Sequence, residues 1–233
     1  MNANTYDLRR SQLETYFDRT AVEAWSRLTS DQPVSRIRAT VRAGRERMRH
    51  TLLDWLPADL RGVRLLDAGC GTGALAVEAA RRGAHVLAID LAPTLVELAR
   101  QRTPHDLPAG SVEFRVGDML DPGLGTFDYV VAMDSLIHYR ISDTVTMVSS
   151  LALRSGSSVL FTFAPRTPAL ALMHAVGRLF PRADRAPAIE PVSEITLRKQ
   201  LQIDPELRGW DVGRTERVAS GFYTSQAMEL MRK

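Results

Sequence analysis

The segment Asp67-Ala68-Gly69-Cys70-Gly71-Thr72-Gly73 holds the densest group of residues able to do chemistry. It directly follows an apolar run and directly precedes a helical stretch. Its glycines permit positive φ and let the backbone approach a ligand closely. With Ala74 it also reads as GxGxx(G/A), the dinucleotide fingerprint, which on its own is a weak signal. Three acidic positions tilt it away from a nicotinamide dinucleotide. Asp67 sits two positions before the first glycine, where a carboxylate can meet a cationic amino group. Asp90 ends the next apolar run, well placed for both hydroxyls of a ribose. Gly117-Asp118-Met119 ends the third, where Asp118 can accept an adenine amino group and Met119 can flank the ring. The plain alternative for Asp90 is a cap on the helix opening at Pro93.

The fourth apolar run ends in Met133-Asp134-Ser135-Leu136-Ile137-His138-Tyr139, which therefore lines the same cleft. His138 is the sharpest candidate among five histidines. His50 lies in an N-terminal helix, His85 opens a strand, His105 sits in a proline-flanked loop and His174 falls in an insertion. Structural or solvent-facing roles suit those four.

These residues need a frame. Strand candidates are Val63 to Ala68, His85 to Ile89, Val112 to Val116, Tyr129 to Met133 and Val159 to Phe163. Helical stretches intervene at Ala74 to Arg82, Pro93 to Arg102 and Ile141 to Leu153. The alternation predicts an α/β fold, a mostly parallel sheet with helices on both faces. Trp210 to Ala219 and Phe222 to Met231, joined by Ser220-Gly221, read as a C-terminal antiparallel hairpin closing the sheet edge.

Two segments lie outside this alternation. Residues 1–60 read as a helical N-terminal arm or cap ahead of a domain over 61–233. Val34, Ile37, Val41, Met48, Leu52 and Trp55 form an apolar stripe, with Arg36, Arg38, Arg42, Arg45, Arg47 and Arg49 largely off it. Pro33 and Pro57 punctuate this helix. A cap packed on the domain and a lid over the ligand are compatible readings. The second segment is a proline-rich insertion at about 166–191, whose middle, Ala169 to Phe180, suits a short amphipathic helix. It falls over the carboxyl ends of the strands, where α/β sheets bind ligands, and reads as a substrate flap.

The chain has 233 residues, 45% of them hydrophobic and 24% charged, enough to bury a core without disulfide or metal. No run is long enough for a membrane span, and MNANTYDLRRSQLE lacks the apolar core of a secretion signal. A soluble, cytoplasmic protein is the expectation. Cys70 is the one cysteine, which excludes an internal disulfide and a thiolate zinc cluster. Thirty basic against 27 acidic residues leave +3, too little to argue for nucleic acid. Lys199 and Lys233 are the only lysines. The arginines are expected to be solvated, and matter where they face a bound anion.

Together, DxGxGxG, Asp90 and GDM resemble the class I S-adenosylmethionine (SAM) methyltransferases, a Rossmann-like fold, from about residue 63 to the C-terminus. The resemblance implies that Asp67, Gly69, Cys70, Gly71 and Gly73 border the methionine moiety. It implies that Asp90 and Leu91 serve the ribose, Asp118 and Met119 the adenine, and that Asp134 belongs to the same cofactor site. Further motifs narrow it: Tyr16-Phe17 with Trp25, SLIHY, Phe163-Ala164-Pro165-Arg166-Thr167, Gly177 to Pro181 and Phe222-Tyr223-Thr224-Ser225. Over nearly the whole chain these are similar to the magnesium-protoporphyrin IX O-methyltransferases. That resemblance implies methyl transfer from SAM to a propionate of magnesium-protoporphyrin IX in chlorophyll or bacteriochlorophyll synthesis. Tyr16 and His138 are then catalytic. The large porphyrin-binding subunit of magnesium chelatase is an implied partner.

A propionate has a pKa of about 4 to 5 and is ionised at pH 7, so no general base is needed. The barrier is alignment of oxygen, methyl carbon and sulfur, and stripping water from the carboxylate. An arginine on the reacting oxygen would blunt it, so Arg166 is assigned to the other propionate, with Tyr139 also against the substrate. His138 either orients the carboxylate or ligates the porphyrin magnesium, although Mg²⁺ prefers oxygen. Magnesium enters only with the substrate, and no protein-built metal site is expected. Peripheral membrane contact suits a greasy acceptor. Three alternatives remain: a SAM methyltransferase on another planar acceptor such as a quinone precursor, an NAD-dependent dehydrogenase, and an inactive SAM- or porphyrin-binding accessory protein.

Overall fold

Five apolar runs form adjacent parallel strands in a computed structural model that describes residues 3–20, 36–107, 109–166 and 188–233. They are β1 (Arg64–Ala68), β2 (His85–Asp90), β3 (Ser111–Val116), β4 (Phe127–Ala132) and β5 (Ser155–Phe163). The hairpin is β6 (Trp210–Ser220) and β7 (Tyr223–Arg232), and β7 inserts antiparallel against β5. The resulting order is β3-β2-β1-β4-β5-β7-β6. Among the described residues six helices flank the sheet: α1 (Ala3–Thr15), α2 (Arg36–Asp54), α3 (Ala74–Arg81), α4 (Pro93–Arg102), α5 (Ile141–Ala152) and α6 (Glu194–Ile203). A π-helical turn over Tyr16–Thr20 follows α1. Trp25, Pro33, Val34, Thr167, His174, Gly177 to Pro181 and the expected helix within 169–180 lie outside the described residues.

Side chains alternate across a strand, and the two faces of β1 show the consequence. Leu66 joins a core built with α5, α6 and Leu13 of α1, whereas Leu65 joins a core built with α2 and α3. The N-terminal helices thus divide between opposite faces of the sheet. On α2 the expected stripe holds at Met48 and Leu52, both fully buried, each contributing roughly 1.5–3 kcal/mol. It fails at Ile37, which is 54% exposed. The first turns of α2 lie at the hairpin's tip, where Thr40 fills the space beside Gly221, so Ile37 has no sheet beneath it. Gly44 lets α2 approach β7 closely, since a Cβ there would overlap the Tyr223 ring.

β5 starts at Ser155, four residues before the apolar run, because its polar opening is satisfied locally. Ser155 Oγ serves the carbonyls of Asp128 and Ser158 at 3.2 and 2.9 Å. At its other end the insertion has a zipped stem. Val192 N donates to Ala164 O (2.8 Å), Arg166 N to Val192 O (2.9 Å) and Glu190 N to Ile137 O (2.9 Å).

Candidate active site

The carboxyl ends of β1, β2 and β4, with α1, α2 and the hairpin tip, enclose a cavity of about 380 Å³. That is a size suited to a small-molecule ligand. The loop after β1 forms one wall. Gly69 N and Cys70 N donate to Ile89 O at 2.8 and 3.0 Å, tying the loop to β2. Gly69 has φ +85°, and a Cβ there would collide with Cβ of Ser135 in the loop after β4. Ser135 Oγ in turn donates to Ala68 O at 2.9 Å.

Asp90 faces this cavity with its carboxylate fixed. Gly71 N donates to Oδ2 (2.8 Å) and Ala92 N to Oδ1 (3.0 Å). Burial raises its pKa, against the pull of those backbone donors. Asp67 is fully buried beneath the loop, and its Oδ2 has no hydrogen-bond partner among the described residues. Desolvation, and then the Asp90 charge, push the Asp67 pKa up to about 7. A buried oxygen left without a donor is costly, and a cationic amino group would relieve it. Cys70 is held as a neutral thiol by burial beside both carboxylates.

Gly69, Gly71, Asp90, Leu91, Met119 and Asp134 line the cavity, while Asp67, Cys70, Gly73 and Asp118 do not. Asp118 is turned toward α1. Tyr6 Oη donates to its Oδ1 (2.6 Å) and Arg10 Nη1 to its Oδ2 (2.9 Å). The glycine cradle, the clamped Asp90 and the orphaned Asp67 oxygen fit a donor with a ribose and a cationic amino group.

Another part of the lining is aromatic. Tyr16, Phe17, His138, Tyr139 and Ile189 form it. Phe17 meets Tyr16 edge-on at 5.2 Å and His138 at 6.0 Å. His138 is buried, and its Nδ1 lies 3.4 Å from the Ala188 carbonyl in the insertion stem, a weak contact that suits an Nδ1–H donor. Tyr139 stacks on Tyr6 at 5.6 Å, and burial raises its pKa. Arg166 is exposed at the stem and does not line the cavity.

Among the described residues, the arginines that do line it, Arg38 and Arg45, both come from α2. Arg45 Nη1 donates to Asp134 Oδ2 at 2.7 Å. Solvation was the expectation for both. Their spacing of seven with Val41 between was the available signal, because it continues the buried face of Met48 and Leu52. Tyr6 and Arg10 carried no such signal.

Residues 132–232 match the family model "Magnesium-protoporphyrin IX methyltransferase C-terminus", and residues 65–154 match a methyltransferase domain. A magnesium-protoporphyrin O-methyltransferase of Rhodobacter capsulatus is 48% identical over 94% of this chain and 95% of its own. One from Synechocystis is 31% identical over 93% of this chain and 94% of its own. The crystal structure of magnesium protoporphyrin IX methyltransferase from Synechocystis with bound SAH superposes with a TM-score of 0.84. It is 30% identical and covers 96% of this chain and 100% of its own.

Proposed function

The chain belongs to the magnesium-protoporphyrin O-methyltransferases, and from that premise we propose how its residues carry out the transfer. The enzyme is a SAM-dependent carboxyl O-methyltransferase of chlorophyll or bacteriochlorophyll synthesis. Its reaction joins a propionate oxygen of magnesium-protoporphyrin IX to the methyl carbon of SAM, breaks the carbon–sulfur bond, and leaves the monomethyl ester and S-adenosylhomocysteine. The observation that carries the reading is one cavity lined both by the glycine–Asp90 loops and by Tyr16, Phe17 and His138.

On the donor side, Asp67 answers the amino group through the loop, Asp90 and Leu91 take the ribose, and Asp118 and Met119 take the adenine end. Gly69, Gly71 and Gly73 keep the loop close, with Cys70 packed behind it. On the acceptor side, His138 and Tyr16 orient the reacting carboxylate and exclude water, which raises its nucleophilicity. Tyr139 lines the cavity beside them, against the substrate. Arg166, at the insertion stem, receives the second propionate, away from the reacting oxygen. The large porphyrin-binding subunit of magnesium chelatase as porphyrin supplier, and a peripheral membrane contact, belong to the same proposal. The family resemblance supports the first and the apolar acceptor the second. Among the described residues no helix is long and apolar enough to cross a membrane.

The test mixes protein, SAM and magnesium-protoporphyrin IX, with metal-free protoporphyrin in parallel, and follows monomethyl ester and S-adenosylhomocysteine by chromatography and mass spectrometry. Ester formation that needs both protein and SAM supports the acceptor. SAM binding without reaction of either porphyrin overturns it and turns attention to a quinone-type acceptor.

A further inference from the structure

Asp134 directly follows Met133 at the end of β4 and is the one non-glycine residue with positive φ among the described residues, at +53°. Asp tolerates this region better than most side chains, yet the conformation still needs support. The support is on the page. Asp134 N donates to Thr162 Oγ1 at 2.7 Å. Its carboxylate accepts from Arg45 Nη1 (2.7 Å), Ser225 Oγ (3.0 Å), Thr162 Oγ1 (3.2 Å) and the Tyr223 hydroxyl, 3.1 Å from both oxygens. A carboxylate offers roughly four acceptor positions, and four donor groups already fill them. Its side chain is 5% exposed, so the charge is matched inside the wall by Arg45 rather than by water.

The donors come from three different elements. Arg45 belongs to α2, Thr162 to β5, and Tyr223 and Ser225 to β7. The chain that turns at Asp134 continues through Ser135, against Gly69, to His138. One buried carboxylate therefore joins the arm helix and the hairpin to the loop that presents the aromatic wall. Gly44, without a side chain, lets α2 come near enough for Arg45 to reach.

Asp134 also lines the cavity, but with its acceptor positions filled we infer that it is a positioning residue: it binds neither methyl donor nor acceptor, and through Arg45 and Tyr223 it fixes the acceptor half of the cavity. It departs from the co-substrate role that the family resemblance implies for Asp134, and it rests on the acceptor reading above.

The test compares Asp134→Asn, Arg45→Met and the double variant in steady-state turnover with magnesium-protoporphyrin IX, and titrates each with S-adenosylhomocysteine. Misplacing a wall by a fraction of an ångström should raise the acceptor KM roughly ten-fold in each single variant. S-adenosylhomocysteine affinity should stay within about two-fold, and the double variant should be no worse than the poorer single one. A ten-fold loss of S-adenosylhomocysteine affinity in Asp134→Asn, by contrast, would make the carboxylate a donor ligand and overturn the proposal. Additive losses, or an unchanged acceptor KM, would overturn it as well. If those variants do not fold, Tyr223→Phe serves: a smaller rise in acceptor KM supports the proposal and an unchanged value overturns it. Absence of turnover in the unaltered enzyme would instead strike the acceptor reading.

Discussion

The Tyr6 hydroxyl lies 2.6 Å from Asp118 Oδ1, across 112 residues of sequence. With Arg10 on the other oxygen and Leu120 N donating at 2.9 Å, the Asp118 carboxylate is held by α1. Tyr6 also stacks on Tyr139, so α1 ties Asp118 to the aromatic part of the lining. Burial, then Asp118, raise the Tyr6 pKa far enough that the hydroxyl stays a donor at any working pH.

Tyr6→Phe should therefore lower stability by about 1–2 kcal/mol, the range for losing a hydrogen bond to a charged group whose other partners stay. The urea midpoint should fall with an unchanged slope. S-adenosylhomocysteine affinity should not drop, because the ring stack remains and Asp118 becomes more available. A loss of more than about three-fold would mean that Tyr6 itself touches the donor.

Asp67 sets a pH dependence. Its folded pKa, pushed up to about 7 by burial, lies above the unfolded value of about 3.9. A raised acid favours the protonated folded state, so the ligand-free protein loses stability as pH climbs from about 4 to 7, then levels off. Donor binding has the opposite sense: a cationic amino group favours the carboxylate, so binding releases a proton. Affinity for S-adenosylhomocysteine should improve roughly ten-fold between pH 5.5 and 7. Calorimetry in buffers of different ionisation enthalpy should register the released proton. In Asp67→Asn both the pH slope and the proton release should vanish, while stability at pH 8 rises.

The frame for this chemistry was plain in the sequence because each strand carries its own apolar run and each helix its own period. Asp90 at the end of β2 and His138 after β4 followed from that frame by counting. What stayed hidden depends on contacts between distant elements. Arg45 reads as one solvated arginine among many until α2 is seated on β7, and seating needs Gly44 to meet Tyr223. Tyr6 sits in a helix without an apolar pattern of its own, so nothing local announces its bond to Asp118. Ile37 continued a stripe in sequence, but the sheet beneath that stripe ends at the hairpin turn.

His138 and Tyr16 line one cavity, and neither is needed to ionise a propionate that is already charged at pH 7. His138→Ala and Tyr16→Phe should each lower kcat, by about 10²-fold and 10-fold respectively, as expected for groups that orient rather than deprotonate. Neither should shift the acid limb of the kcat profile. Unchanged turnover in His138→Ala would remove both of its assigned roles, and a loss confined to the magnesium porphyrin would favour ligation of the metal.

Gly69 and Gly62 separate backbone strain from crowding. Their φ angles are close, +85° and +77°, so alanine at either costs a similar amount of conformational strain, about 1 kcal/mol. Their surroundings differ. At Gly62 an added Cβ meets nothing within 4 Å, whereas at Gly69 it collides with Ser135. Ser135 cannot retreat freely, because its hydroxyl holds Ala68 O and its neighbour Asp134 is bonded on every side. Gly62→Ala should thus lose about 1 kcal/mol and keep full donor affinity. Gly69→Ala should lose a further 1–3 kcal/mol from overpacking, and donor binding should weaken by at least ten-fold as the loop backs away from the cavity. Chemical denaturation and S-adenosylhomocysteine titration of the two variants side by side measure that difference. Equal behaviour would show that the loops after β1 and β4 yield to each other, and that the glycine serves the turn alone.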